Sequence, residues 1–182
     1  MFEEVINVCK KNFSKANKSF DLILLEKSLN ELSEAISHYS IKTGDDLPYG
    51  RYLIFKCNEF NIQLDIFSRN YIGSIHNHGT WGIFGLIQGN LIVNDWIEIE
   101  NKFSQVRTTL VTPKSLQTFV KENDWHSIKT TSKGMQAVSL HIYGPDYNLD
   151  IGYALDENLK IKKYTRSAFK ENTMLENRII SI

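Results

Sequence analysis

The sequence predicts a mainly β protein, a jelly roll or closed β-barrel that follows an N-terminal helical segment. Three observations favour this fold class. Helical periodicity is confined to the first 43 residues. From Arg51 onward, short runs of β-branched and aromatic residues alternate with turn residues. The sequence contains no internal repeat and no low-complexity linker. Many short strands after a helical cap are typical of barrels and jelly rolls.

The N-terminal segment, residues 1–43, contains two predicted helices. Apolar residues between Leu22 and Ile36 recur at three- and four-residue intervals, with charged residues on the other side. This pattern predicts an amphipathic helix over about residues 20–39, and a shorter helix is predicted over 2–13. Gly44 fits a helix stop. His38, near the end of the longer helix, is expected on the surface.

The following residues, 49–165, form the predicted β-barrel of a single domain that spans residues 1–182. Each predicted strand is rich in β-branched or aromatic residues and is bounded by turn residues. The predicted strands are 51–57, 62–67, 72–78, 82–87, 90–98, 103–112, 117–120, 126–130, 135–143, 151–155 and 159–164. A chain of 182 residues has enough material for one sizeable core and is short for two.

Charge and hydropathy exclude several kinds of partner. The 21 basic and 21 acidic residues cancel, which argues against nucleic acid and an anionic membrane surface as partners. Without a long apolar run or the layout of a signal peptide, the sequence predicts a soluble, cytoplasmic protein. In that reducing compartment Cys9 and Cys57 are expected to be free thiols. We expect a monomer or a weak homodimer.

The motif His76-Asn77-His78 is the strongest candidate for a metal site. In an extended strand both histidines share one face, which suits two cis ligands of one metal ion. A pair of solvated histidines on an exposed strand is the alternative. The flanking glycines and the β-rich run that follows favour the metal site, because such turns present ligands at the mouth of small barrels. Of five histidines, His126 and His141 could complete the site.

Other polar residues occupy positions that could converge on the same site. His126 follows a polar turn at the start of a predicted strand. Ser139, His141 and Tyr143 lie on one face of another strand, because side chains alternate. Arg51 begins the first predicted strand. A metal site, a polar row and a fixed positive charge can therefore meet inside one barrel.

These motifs together resemble the thiol dioxygenase branch of the cupin superfamily, namely bacterial cysteine dioxygenases and 3-mercaptopropionate dioxygenases. The resemblance rests on HNHGTWGIFGLIQGNL, DWHSIKT and AVSLHIYGP in that order, with YGRYLI upstream, and spans about residues 49–147. It implies a small cupin barrel that holds Fe(II) with three histidines and oxidises a small thiol with O2.

The resemblance also implies a ligand set, His76, His78 and His126. The general cupin pattern has a glutamate at the position of Gly82, and its loss would leave three neutral imidazoles, as in thiol dioxygenases. His141 competes with His126 for the third ligand position. A histidine between two hydroxyl residues has partners for both ring nitrogens, which favours His126 as the ligand.

The remaining implied roles concern catalysis and substrate binding. By resemblance, Ser139, His141 and Tyr143 form a hydrogen-bonded row beside the iron, with Tyr143 directed at substrate and O2. The crosslinked cysteine of animal cysteine dioxygenases is replaced by Gly82, so Tyr143 is expected to be unmodified.

Substrate binding is assigned to three side chains. Arg51 would hold a substrate carboxylate through two parallel hydrogen bonds. The alternative is a solvated arginine at a strand edge. Tyr49 would supply a further polar contact to the substrate, and Trp81 would line the pocket.

The sequence as a whole therefore predicts an iron(II)-dependent thiol dioxygenase that converts L-cysteine to its sulfinic acid. The small thiol and O2 are its expected partners. Three alternatives remain open: a 3-mercaptopropionate dioxygenase, a cupin hydrolase or isomerase that uses another divalent metal, and a metal-free cupin that only binds a ligand.

Overall fold

The structure, a computed structural model, describes residues 2–13, 22–41, 50–119, 125–131, 136–145, 147–170 and 179–181. Two helices come first, α1 over Glu3–Phe13 and α2 over Leu22–Ser37. Acidic residues in the first turn of α1 and lysines in its last turn complement the helix dipole. The apolar sides of the two helices meet through residues such as Val5 and Leu32, which are fully buried.

The described residues after these helices form antiparallel strands. The strands are β1 Tyr39–Ile41, β2 Gly50–Lys56, β3 Asn61–Phe67, β4 His76–Asn77, β5 Gly82–Gln88, β6 Leu91–Ile99, β7 Lys102–Val111, β8 Leu116–Phe119, β9 His126–Thr130, β10 Ala137–Tyr143, β11 Ile151–Leu155, β12 Ile161–Thr165 and β13 Ile179–Ser181. The predicted fold class, a mainly β jelly-roll barrel with an N-terminal helical segment, is confirmed.

The strands are arranged in two large sheets and one small one. The five-stranded sheet has the order β2-β3-β10-β5-β8, the six-stranded sheet has the order β12-β11-β4-β9-β6-β7, and β1 pairs with β13. Strand β10 is central in its sheet, and every residue of β3 and β10 is buried. A buried polar side chain is costly unless it forms a hydrogen bond. Polar residues on one face of such strands therefore indicate a binding site or a hydrogen-bond network.

The two faces of the five-stranded sheet have different partners. Ile62, Leu64 and Leu140 lie on the face that packs against the helices. On the other face, Phe84 of β5 packs with Ile128 of β9 in a second core between the two sheets. Because side chains alternate along a strand, the polar residues of β3 and β10 share this inner face.

Several sequence predictions need correction or fall outside the described residues. The predicted strand 72–78 is regular only at His76–Asn77, because Ile72 makes a single bridge to Lys129 and its side chain is 81% exposed. Tyr39, predicted at the end of α2, begins strand β1 instead, and both β1 and β13 were missed. Gly44 and Tyr49 lie outside the described residues.

Two further expectations are tested by the structure. Cys9 and Cys57 are free thiols, as predicted. Within the described ranges, neither helix combines the length and the apolar character needed to cross a membrane.

Candidate metal centre and adjoining cavity

Three histidines from neighbouring segments of the six-stranded sheet converge at one point. His76 of β4 lies directly opposite His126 of β9 in the strand register, and His78 follows two residues after His76. One ligand nitrogen from each histidine lies within 4.8 Å of the other two. The structure therefore brings together the three residues that the resemblance assigns as ligands, and these three could hold a metal ion.

The geometry of this cluster fits a divalent metal. The Nε2 atoms of His78 and His126 are 3.2 Å apart, whereas two nitrogens at about 2.1 Å from one ion and 90–109° apart are separated by about 3.0–3.4 Å. The Nδ1 of His76 lies 2.9 Å from the carbonyl oxygen of Ser74, which leaves its Nε2 available to a metal. The ligand nitrogens of all three histidines lie within 4.8 Å of one another, a wider limit than the 3.0–3.4 Å expected for neighbouring ligands of one ion. One imidazole would therefore rotate towards the other two when a metal binds.

Electrostatics keep two of these imidazoles in the form that a metal needs. Burial, followed by the neighbouring His126, lowers the pKa of His76. Burial, followed by His76 and His126, lowers the pKa of His78 well below its usual value. Neutral imidazole is the ligand form of histidine, so no proton has to be displaced at neutral pH.

Ser139, His141 and Tyr143 form a continuous row on the inner face of β10. Ser139 Oγ lies 2.6 Å from His141 Nε2, and the Tyr143 hydroxyl lies 3.0 Å from His141 Nδ1. Burial, then Arg51 and His76, lowers the pKa of His141 to about 3. A neutral imidazole has one donor and one acceptor nitrogen, so one of the two hydroxyls donates to the ring and the other accepts from it.

The row lies against the histidine cluster through Tyr143. The ring centroids of Tyr143 and His78 are 4.7 Å apart, and Tyr143 also stacks on Tyr147 at 4.0 Å. Burial raises the pKa of Tyr143 well above its usual value, so its hydroxyl is protonated at neutral pH. Gly82 of β5 is the register partner of Tyr143. It stands where the resemblance would place a glutamate, and as a glycine it has no side chain beside Tyr143.

A cavity of about 150 Å³ adjoins the cluster and the row. It is smaller than the roughly 300 Å³ at which sites for drug-sized ligands begin, so it suits a small molecule. His76, His78, His141 and Tyr143 line one part of it. Its other polar lining residues are Arg51, Asp65, Tyr71, Ser74, Tyr147, Tyr164, Arg166 and Ser167.

Arg51 is a buried residue of the cavity wall rather than a solvated arginine at a strand edge, since it is only 6% exposed. Its guanidinium donates to the carbonyl oxygen of Ser167 at 2.9 Å and to Gln63 Oε1 at 3.1 Å, and contacts the Tyr147 hydroxyl at 3.4 Å. It also lies over the ring of Phe169 at 4.4 Å. These contacts fix its direction and leave part of its five-donor fork for a ligand.

Of the other two predicted substrate contacts, the structure describes only Trp81. Trp81 is not among the residues lining the cavity, and its indole nitrogen instead lies against Gly144, where a side chain would meet it at 2.6 Å. The indole is thus directed towards the turn that follows β10, and the role of Trp81 in substrate binding stays a prediction. Tyr49 lies outside the described residues.

Several residues of the cavity were not predicted from the sequence, among them Asp65, Tyr147 and Arg166. Asp65 of β3 is 8% exposed, and burial raises its pKa to about 7 against the opposing charges of Arg51 and Arg166. A sequence signal for it existed, because Asn61, Gln63 and Asp65 alternate with apolar residues along β3. Tyr147 and Arg166 lie after β10 and β12, where no periodicity marks them.

Comparison with known proteins shows that this chain resembles them in fold alone. No family model matches the chain, and no curated protein does. Several of the solved structures that resemble it are described as cupin proteins. A cupin superfamily protein from Desulfitobacterium hafniense is 14% identical, with a TM-score of 0.46, over 63% of this chain and 88% of its own.

Two further solved structures have similar scores. A cupin 2 domain-containing protein from Halorhodospira halophila is 15% identical, with a TM-score of 0.46, over 59% of this chain and 70% of its own. A sugar phosphate isomerase of the cupin superfamily from Silicibacter pomeroyi is 13% identical, with a TM-score of 0.42, over 69% of this chain and 83% of its own. At this level of identity, none of them bears on the activity of this chain.

Proposed function

We propose that this protein is an iron(II)-dependent thiol dioxygenase that adds both atoms of O2 to the sulfur of a small thiol carboxylic acid, L-cysteine in the first instance. The observation that carries the proposal is the contact between His78 of the histidine cluster and Tyr143 of the polar row, at a centroid distance of 4.7 Å. It puts a metal-binding group, a hydroxyl donor and a small cavity in one place. The motif resemblance supplies the reaction.

Bound iron(II) would supply open coordination positions for a thiolate and O2, and would favour loss of the thiol proton. Each residue then has a separate task. His76, His78 and His126 hold the metal as neutral ligands. Tyr143 keeps its proton and can donate a hydrogen bond to an oxygen or sulfur atom in the cavity.

The polar row and Arg51 position the reacting groups. His141 is held on both ring nitrogens by Ser139 and Tyr143, so it fixes the direction of the Tyr143 hydroxyl. Arg51 offers a buried positive charge to a substrate carboxylate, which fixes one end of the thiol. Holding sulfur and oxygen next to each other in a small cavity is a large part of such catalysis.

The test is oxygen consumption by protein loaded with Fe(II) under anaerobic conditions and then mixed with L-cysteine and O2. We expect about one iron per chain, O2 uptake, and a product heavier by two oxygen atoms in mass spectrometry. His38→Ala is the matched control for ligand variants, because His38 is an exposed histidine paired with Glu4.

Three outcomes separate the proposal from its alternatives. Faster turnover of 3-mercaptopropionate than of cysteine would identify a 3-mercaptopropionate dioxygenase. Tight zinc binding with no O2 uptake for any thiol would contradict the proposal and favour a metal-dependent hydrolase or isomerase. Absence of any metal after loading would leave a ligand-binding cupin.

A further inference from the structure

The two cysteines of the chain, Cys9 and Cys57, pack into the same core and take no part in the proposed reaction. Cys9 lies in α1 and is fully buried, whereas Cys57 directly follows β2 and is partly exposed. Cys57 packs against the cluster of buried residues that contains Cys9. The two thiols therefore reach one core from two parts of the molecule, the helical segment and the barrel.

Contacts on either side of the two cysteines hold these parts together. Lys10 Nζ of α1 lies 4.8 Å from the centroid of the Phe55 ring in β2. The Cys57 amide donates to the carbonyl oxygen of Phe60 at 3.0 Å, and the Cys57 Sγ lies 3.5 Å from the same oxygen. Phe60 belongs to the buried cluster of Cys9, and its ring is 5.6 Å from that of Phe55. The residue after Cys9 thus contacts the strand that leads to Cys57.

The electrostatic environment of Cys9 also indicates that Cys57 is near. Burial raises the pKa of the Cys9 thiol, and the charge of Cys57 raises it further. One thiolate acts on another thiol in this way only when the two are close, because Coulomb energies fall with distance and are screened by water. A buried thiol is shielded from reagents in solution, so the partly exposed Cys57 is the one that meets a small oxidant first.

We propose that Cys57 is a modification site for small disulfides, and that its modification leads to an intramolecular Cys9–Cys57 disulfide that fastens α1 to the turn between β2 and β3. First the Cys57 thiolate attacks the small disulfide, forms a mixed disulfide and releases one thiol. The Cys9 sulfur then attacks the Cys57 sulfur, and the second thiol leaves. The two protein thiols lose two electrons and two protons, and the small disulfide is reduced to two thiols.

The crosslink has a consequence for the helical segment. Cys9 becomes reachable only when α1 opens locally, so the second step is slower than the first. Once formed, the disulfide opposes the same opening. It also closes a long loop between the two cysteines, which restricts the unfolded chain and stabilises the folded protein. The inference is independent of the metal and of the proposed function.

The experiment treats the full chain with oxidised glutathione under anaerobic conditions. The protein is then unfolded in urea with N-ethylmaleimide, which blocks the remaining thiols, and is measured by mass spectrometry. We expect a product that is lighter than reduced protein by two hydrogen atoms, takes up no maleimide, and yields one crosslinked peptide containing Cys9 and Cys57. It should melt roughly 4–16 °C higher than reduced protein, as expected for a typical disulfide in a domain of this size. Dithiothreitol should reverse both changes.

Two single variants test the order of the steps. Cys9→Ala should stop at the mixed disulfide of Cys57 with glutathione. Cys57→Ser should leave the Cys9 thiol unmodified in the folded protein, because Cys9 is buried. If either variant fails to fold, wild-type protein decides alone, since the crosslink and the melting temperature are both measured on it.

Several results would overturn the inference. These are a mixed disulfide at Cys57 as the end product in wild-type protein, a Cys57 link between two chains, or no reaction with oxidised glutathione. Hydrogen exchange of the α1 amides that is equally fast in the crosslinked and reduced proteins would show that the disulfide does not fasten α1. None of these measurements uses iron or O2, so this inference and the proposed function can fail separately.

Discussion

His126 and His141, the two candidates for the third ligand, differ in what their ring nitrogens contact. His126 Nε2 lies 3.2 Å from His78 Nε2, so it is directed at the cluster. Both nitrogens of His141 are instead within hydrogen-bond distance of hydroxyl groups. The chemistry of an imidazole flanked by two hydroxyls, which is readable in the sequence, therefore separates the two candidates.

At this scale we expect His76→Ala, His78→Ala and His126→Ala each to lose iron and activity. His141→Ala should retain most of the iron and lose activity, because a residue beside the ligands typically changes metal affinity by about 10- to 100-fold and does not abolish binding. Iron content measured by atomic emission on each variant, with His38→Ala as control, checks this. An empty site in His141→Ala together with a full site in His126→Ala would reverse the assignment.

At the scale of the element, alternation along the strands explains both the success and the failures of the sequence predictions. Most strands were located within two residues, and period-two spacing placed Ser139, His141 and Tyr143 on one face. The same alternation along β3 places Asn61, Gln63 and Asp65 on one face, and it would have predicted Asp65 as a site residue. From the sequence, this segment was predicted only as a strand. Arg166 could not be found, because it follows β12 in an irregular segment just beyond the predicted barrel.

Turn geometry gives a prediction for the connection between β5 and β6. Gly89 has φ of 77°, and a side chain there would meet the carbonyl oxygen of Gln136 at 2.5 Å. Gly79 has φ of 67° with nothing within 4 Å. Gly79→Ala should therefore lower the free energy of unfolding only by the cost of a positive φ at alanine, about 1–2 kcal/mol. Gly89→Ala should lower it by about 1–3 kcal/mol more, because the new methyl group clashes with the backbone.

Urea unfolding of the metal-free protein measures both free energies. Metal-free protein is used because Gly79 follows His78 directly. Equal destabilisation by the two substitutions would show that backbone strain alone accounts for the glycine at position 89.

At the scale of the whole molecule, buried neutral histidines make stability depend on pH. The pKa of His141 is about 3 in the folded protein and about 6.5 when unfolded. Below pH 6.5 the unfolded chain binds a proton that the folded protein does not, so stability is fully present above 6.5 and is lost as pH falls towards 3. Asp65 acts oppositely, because its folded pKa is raised to about 7.

We therefore expect metal-free His141→Gln to lose stability less steeply than wild-type protein between pH 6.5 and 4. The difference in slope should be up to about 1.4 kcal/mol per pH unit, the contribution of one proton. The charged and titratable groups around His141, namely Asp65, Arg51, Tyr143, His76 and His78, are unchanged in the variant. Urea unfolding across this pH range checks the prediction, and parallel curves for the two proteins would contradict it.

One wall of the cavity is formed by the irregular segment after β12, the outermost strand of its sheet. It is attached at Ser167, whose carbonyl accepts from Arg51, and at Lys170, whose amide donates to the Arg51 carbonyl oxygen. Detaching an edge segment breaks few contacts and costs far less than opening the sheets. We therefore expect ligand exchange to follow how often this segment detaches from Arg51, while the barrel and the histidine cluster stay in place.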